Sequence, residues 1–243
     1  MNRSSAARLV LGLASAALLS LSLMPAASAK VPTHVRAVTW QGKILVDREI
    51  RTATTTVPTS ASASCFGGSP SDGTKRIPGA TALGALQDAQ AASSPRQPLL
   101  LTNAFDFGLG LCGVGNAVAT GEQFWELTYN HQPSMLGGEA TEVERNSTVL
   151  WYLSQSFNTS SPDELELRAP ESVRRDAAFK VRVVAYNDQG RARPVEGAKL
   201  SLAGTRPTNV RGYTTVRIKS QSRFAARAEG LIVSNRSTVK VRR

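Results

Sequence analysis

A 243-residue chain with 41% hydrophobic and 19% charged side chains has enough apolar material to bury cores, which excludes a disordered or collagen-like polypeptide. Its formal charge of +11 is uneven: residues 161–243 hold 18 Lys and Arg against 8 Asp and Glu, whereas residues 30–160 hold 9 against 10. Such a field draws polyanions and weakens with salt, so the last third of the chain is expected either to be solvated by its charge or to meet an acidic partner.

Residues 1–29 read as an export signal. Arg3 and Arg8 form a short basic start, residues 9–23 are an uncharged apolar run, and Ala27, Ser28 and Ala29 supply the small residues a signal peptidase needs. The run is shorter than the roughly 20 residues of a spanning helix, and no later stretch approaches that length. The expectation is a secreted or cell-surface bacterial protein, a monomer, with no membrane span after signal removal. The remaining 214 residues suit two compact units. Cys65 and Cys112 are the whole cysteine supply, and outside the cell an even pair reads as one disulfide. With no CxxC spacing and only His34 and His131 to assist, no metal site is expected.

The elements follow in chain order. Residues 35–40 and 44–50 form two strands of a hairpin around Gln41 and Gly42. Residues 51–76, rich in Thr, Ser, Ala, Gly and Pro, read as a strand remnant followed by a surface loop that Cys65 would pin. From Thr81, a good cap, Leu83, Leu86 and Ala89 recur at helical spacing until Ser93 and Ser94. Residues 122–130 alternate, with Trp125, Leu127 and Tyr129 in one phase, and residues 148–154 repeat the arrangement with Val149, Trp151 and Leu153. Trp125 and Trp151 are therefore expected as core neighbours. The polar stretch 154–163 marks the boundary, giving a domain over residues 30–155, a linker over 156–163 and a second domain over 164–243. The latter offers strands at 165–167, 179–186, 198–203, 213–218, 223–228 and 238–242, separated by Gly-, Asn- and Pro-containing turns, a pattern that suits a β-sandwich. Apolar residues alternate there with Lys180, Arg182, Arg217, Lys219, Lys240 and Arg242, which makes these six the candidate polyanion contacts.

The run Thr81-Ala82-Leu83-Gly84-Ala85-Leu86, the strand from Phe124 to Asn130 and the segment Thr148-Val149-Leu150-Trp151-Tyr152 resemble the DUF4430, or transcobalamin C-terminal-like, domain of exported bacterial proteins, over residues 35–155. The resemblance implies a small α+β, β-grasp-like fold, and it admits a corrinoid or other small ligand because vertebrate relatives bind cobalamin. Where that family has Asn-Gly after the aromatic strand, this chain has Asn130-His131, and the usual Gly-Asp before the last strand is Asn146-Ser147. The second domain is similar to bacterial Ig-like modules through Ala169-Pro170, Phe179-Lys180-Val181, the Pro194-Val195-Glu196-Gly197-Ala198 segment and Arg211-Gly212-Tyr213, which implies presentation rather than chemistry.

Candidate chemistry is sparse. Residues 108–113 match GxGxxG literally, but no helix pattern follows, so the match reads as chance. Trp125, Tyr129, His131, Trp151 and Tyr152 are the candidate ligand-binding residues, the rings offering apolar area with polar handles and His131 a nitrogen for a metal or corrinoid cobalt. Core packing and an exposed turn are the competing readings of the same residues. Glu139, Glu142 and Glu144 sit in one short acidic loop, no nucleophile elbow is present, and no catalytic residue is assigned. No nucleic acid partner is expected for an exported chain. The sequence thus leaves two functions open: a non-enzymatic binding or display protein using its first domain, or an adhesive envelope protein whose basic sandwich contacts anionic wall polymers. Asn146, Asn158 and Asn235 lie in glycosylation sequons that matter only in a host that modifies them.

Overall fold

The computed structural model describes residues 29–94 and 96–242; the expected export signal, apart from Ala29, lies outside them. In chain order the first part contains β1 (Val31–Thr39), β2 (Ile44–Thr52), β3 (Thr55–Thr59), β4 (Gly73–Ile77), α1 (Ala82–Ser93), β5 (Leu100–Phe105), β6 (Gly108–Val114), β7 (Ala117–Val118), β8 (Phe124–Tyr129), β9 (Gln132–Pro133) and β10 (Ser147–Ser154). A five-stranded mixed sheet in the order β2-β1-β10-β8-β9 is its spine, with β1 and β10 parallel at the centre and antiparallel neighbours outside them.

The helix starts where expected. Thr81 caps it, its hydroxyl accepting the Gly84 N–H at 3.1 Å, and Leu83, Ala85, Leu86 and Ala89 are buried against the sheet. With neither an acidic residue in the first turn nor a basic one in the last, twelve residues depend on this packing rather than on their own termini.

Strands β1 and β10 are apolar on both faces, which is why they occupy the centre. Val35, Ala37, Val149, Trp151 and Leu153 point toward α1 into the first core, whereas Val38, Leu150 and Tyr152 point the other way and join Ala225, Ile232 and Val233 of the C-terminal part. Period-two alternation therefore sends Trp151 and Tyr152 to opposite sides of one sheet.

Two expectations for the first part are corrected. Residues 51–76 are not a strand remnant and loop alone: β3 and β4 form a hairpin in register from Thr55 opposite Ile77 to Thr59 opposite Gly73, and only its long connection carries Cys65. A three-stranded sheet, β5-β6-β7, went unpredicted between helix and aromatic strand, because the glycines of β6 interrupt the usual strand composition. Gly110 is there for closeness: a Cβ would stand 2.7 Å from the Thr102 methyl on β5. The GxGxxG match thus lies along a strand. The Cys65–Cys112 disulfide joins the β3–β4 connection to β6, with Cα atoms 5.4 Å apart and 47 residues between them in sequence.

The C-terminal part contains β11 (Glu164–Arg168), β12 (Ser172–Arg174), β13 (Phe179–Tyr186), β14 (Ala192–Pro194), β15 (Lys199–Leu200), β16 (Tyr213–Val216), β17 (Ser222–Phe224), β18 (Ala226–Arg227) and β19 (Ser237–Arg242). A sheet of β11, β13, β14 and β16 and a sheet of β12, β19 and β17 contribute side chains to one core of Leu165, Leu167, Val181, Val183, Val216, Phe224 and Val239, an arrangement compatible with a β-sandwich. The strands are shorter than the sequence pattern implied; residues 198–203 reduce to Lys199–Leu200, and 223–228 split between β17 and β18.

The seam between the two cores is polar around an apolar centre. Arg36, with its side chain 4% exposed, pairs with Glu164 and donates to the Leu165 and Val233 carbonyls at 3.1 and 3.2 Å. Asp47, 1% exposed, accepts from His34 at 2.8 Å and from the backbone N–H of Arg236. Arg223 donates to the Asp47 carbonyl at 2.9 Å and Arg227 to the Gly42 carbonyl at 2.6 Å. Three arginines of the basic C-terminal part therefore hold the seam.

Candidate functional site

One helix cannot cover five strands. Over β1 and β2 the sheet lies under α1, but beside β8 the cover is the β5–β6 hairpin and the segment 133–138, and between these a groove of about 560 Å³ opens. Trp125 and Trp151 form its floor, Leu83 and Leu111 its inner wall, and Phe66, Phe105, Phe107 and Leu136 its rim. Leu153 on β10 stands opposite Trp125 on β8, which sets Trp151 diagonally beside Trp125 on the same face. The predicted neighbours are thus neighbours, and the groove is built on them.

Several features shape this floor and rim. The Trp125 indole N–H donates to the Cys112 carbonyl at 3.3 Å. Gly138 lets Trp151 lie flush against the 133–138 segment, since a Cβ there would stand 2.5 Å from the ring. On the rim, Phe105 stacks on Phe107 with centroids 4.9 Å apart and meets Phe66 at 5.9 Å. Phe107 and Met135 are 87% and 94% exposed, so apolar surface extends outward from the opening, as it does at many binding sites.

Polar atoms complete the lining. Glu126, Thr128 and Trp151 each hold a buried nitrogen or oxygen with no hydrogen-bond partner among the described residues; Trp151 lies on the groove floor, whereas Glu126 and Thr128, opposite Tyr152 and Leu150, border the groove from the other face of β8. Such atoms cost stability when left unmatched. Burial pushes the Glu126 carboxyl above its ordinary 4.5; a hydrogen bond from Ser154 opposes this and the Asp188 charge adds to it.

The other candidate residues go elsewhere. Tyr129 is half-buried against the first core, and its hydroxyl accepts the Glu144 N–H at 3.1 Å. Tyr152 faces the seam, where burial, then the nearby Glu126 charge, raises its phenol above 10.0. His131 is not an exposed turn residue: its Nδ1 is hydrogen-bonded to Glu164 at 2.9 Å, and its ring stacks on Tyr186 with centroids 3.7 Å apart. Tyr186 in turn donates to Glu166 at 2.7 Å and accepts from Arg168 at 2.6 Å. Asn130 and His131 turn the β8–β9 hairpin with φ of 49° and 65°, the left-handed conformation that favours Gly at such a turn. The histidine's contacts across the seam offset that strain.

Glu139 is engaged structurally, paired with Lys75 at 2.9 Å and accepting the Leu109 N–H at 3.2 Å. Among the described residues no three His, Cys, Asp or Glu side chains gather as a metal ion would require, and no helix is long and apolar enough to cross a membrane.

The six basic candidates do not share one face. Lys180 and Arg182 lie on β13, Arg182 with its guanidinium 5.3 Å above the Tyr213 ring, while Lys240 and Arg242 lie on β19 of the other sheet. Arg217 donates to the Asp176 carbonyl at 2.9 Å. Lys219, Lys240 and Arg242 do meet, and Arg175, which the alternation argument passed over, joins them.

Phe66, Phe105, Phe107, Leu136 and Gly138 are the groove residues that the sequence reading missed. The pairing of β5 with β6 reveals Phe105 and Phe107, whose signal was the apolar run Leu99-Leu100-Leu101 followed by alternating Leu109 and Leu111 around Asp106-Phe107; Phe66, Leu136 and Gly138 come from loops that only the tertiary fold brings to the groove. No protein-family model matches the chain, and no curated protein matches it.

Proposed function

We propose that the chain is an extracytoplasmic, non-enzymatic binding protein whose groove beside β8 holds a small, mostly apolar ligand carrying at least one polar group. The observation that carries this reading is the groove itself: two tryptophans below, three phenylalanines at the rim, and the unpartnered indole N–H of Trp151 at the floor. Its size falls in the range of about 300–1,000 Å³ typical of small-molecule sites, and apolar walls with a few polar groups are what such sites use to bind and orient a ligand.

The central parallel pair β1–β10 and the helix α1 packed on it support the β-grasp-like, transcobalamin-like reading of residues 30–155. The two small sheets around one core support an Ig-like reading of residues 164–243. Because His131 faces the seam, the ligand proposed here is held without a histidine–metal bond, which disfavours a corrinoid ligated by that residue. The C-terminal part serves presentation, fixed against the first core by Arg36, Arg223, Arg227 and Arg236.

The test is a titration of the purified protein with the neutral fluorescent probe N-phenyl-1-naphthylamine. Saturable binding at one site, abolished by Leu136→Arg and unaffected by His131→Ala, is the expected result. Leu136 is 59% exposed, so the arginine closes the opening without disturbing the core. Absence of saturable binding, or equal binding by the Leu136→Arg protein, would contradict the reading.

A further inference from the structure

Several arginines of the C-terminal part spend their guanidinium groups on protein partners. Arg168 and Arg193 pair with Glu166 and Asp163, Arg223 and Arg227 donate across the seam, and Arg217 holds the Asp176 carbonyl. At one end of the sandwich four cations remain together without a protein counter-charge. Arg175, Lys219, Lys240 and Arg242 line a single open pocket of about 360 Å³, together with Ser220 and Gln221, and no carboxylate lines it. None of the four enters an ion pair among the described residues.

Chain pairing explains the gathering. Lys240 and Arg242 are two apart on β19 and so share one side of the strand. Strand β12 runs parallel to β19 with Arg174 level with Arg242, and the Arg175 N–H donates to the Arg242 carbonyl at 3.1 Å, which places Arg175 at the strand ends. On the other side of β19, β17 begins at Ser222 opposite Val239, so the preceding Lys219-Ser220-Gln221 turn lies beside Lys240. Three separate segments thus direct positive charge to one concavity, although like charges brought level across a strand pair are unfavourable. The nearest carboxylates in sequence, Glu171 and Asp176, are exposed and stand outside the pocket; Glu171 accepts the Lys240 N–H at its backbone carbonyl, and Asp176 is held through its backbone carbonyl and N–H.

We propose that this pocket binds a chain of phosphate groups. Two guanidinium forks and two ammonium groups match tetrahedral phosphate oxygens, Ser220 and Gln221 add neutral donors, and a concave site fed from three segments suits successive anions along a flexible chain better than a flat charged surface. The site is separate from the groove beside β8 and stands or falls without it.

Inorganic polyphosphate is the probe, titrated into the whole protein at several salt concentrations. The logarithm of affinity should fall with the logarithm of salt at a slope near −3, about 0.7 for each of four contacts. Replacing Arg175, Lys219, Lys240 and Arg242 together by Gln should weaken binding by about 100-fold at low salt and flatten the slope. The variant Arg191→Gln, Lys199→Gln, Arg206→Gln, Arg211→Gln removes the same charge from exposed positions elsewhere and should bind nearly as well as the parent. The pair Lys219→Glu and Lys240→Glu, both exposed, gives the same answer should the fourfold variant fail to fold. No binding by the parent protein, or equal loss in the matched-charge variant, would overturn the site. Equal affinity for polygalacturonate, or tighter binding per charge to phosphatidylglycerol vesicles, would overturn the phosphate-chain assignment.

Discussion

The indole N–H of Trp125 donates to the carbonyl of Cys112 across 3.3 Å. That bond ties the floor of the groove to the strand that carries the disulfide, and the residue after the other half-cystine, Phe66, stands at the groove rim. Covalent closure and groove are therefore mechanically joined. Replacing both cysteines by serine frees a 47-residue loop, and chain entropy puts the loss at about 4 kcal/mol. Urea unfolding measures it, and probe affinity should fall with it as Phe66 loses its anchor. Unchanged stability would show that the bridge constrains nothing.

Gly138 offers a gentler perturbation of the same floor. An alanine there brings a methyl to 2.5 Å from Trp151, and overpacking of this kind costs about 1–3 kcal/mol. The expected outcome for Gly138→Ala is a lower Tm together with weaker probe binding, since the Trp151 ring must move toward the groove. A substitution that leaves both unchanged would contradict the close approach.

At the seam, Arg36 and Glu164 are both nearly buried. Arg36→Met leaves the Glu164 carboxylate with His131 alone, and breaking a buried pair from one side costs about 3–5 kcal/mol, whereas removing both charges costs far less. Urea unfolding of Arg36→Met beside Arg36→Met/Glu164→Met reads the difference. Equal losses in the two proteins would mean that the charges do not interact.

Glu126 and Glu166 shift in opposite directions, so acid should affect them oppositely. Burial raises the Glu126 carboxyl above 4.5: its neutral form is favoured in the fold, a contribution fully present below the unfolded value and lost as pH rises through the raised one. Glu126→Gln should therefore stabilise the protein at pH 7 by a few tenths of a kcal/mol, because partial solvent access screens the cost, and the gain should vanish near pH 4. For Glu166, burial works upward, but hydrogen bonds from Arg168 and Tyr186 outweigh it and hold the carboxyl below 4.5. Its contribution is present above the unfolded value and is lost as pH falls through the lowered one, so Glu166→Gln should be destabilising at pH 7 and nearly neutral well below pH 4. Thermal melts across pH 3–7 distinguish the two signs.

Strands and helix were legible where side-chain periodicity was undiluted. Thr81 announced the helix start, and the alternation around Trp125 and Trp151 gave β8, β10 and the aromatic floor. Tyr152 was placed in the ligand-binding group although the unbroken run Leu150-Trp151-Tyr152-Leu153 marks a strand buried on both faces; reading that run as such sends Tyr152 to the far side. The groove's rim was invisible because β6 is built on Gly108, Gly110 and Gly113, whose value lies in close packing across strands rather than in any strand-like composition. The basic residues were recognised singly, but which of them meet depends on the order β12-β19-β17, and a lone sequence does not encode strand order locally.

The groove assignment is tested most directly by the indole N–H signals of the three tryptophans in a ¹⁵N-correlated NMR spectrum recorded during titration with N-phenyl-1-naphthylamine. Trp125 and Trp151 line the groove and Trp40, 39% exposed, does not. Saturable shifts of Trp125 and Trp151 with Trp40 unmoved are the predicted result; movement of Trp40 alone, or of none of the three, would contradict it.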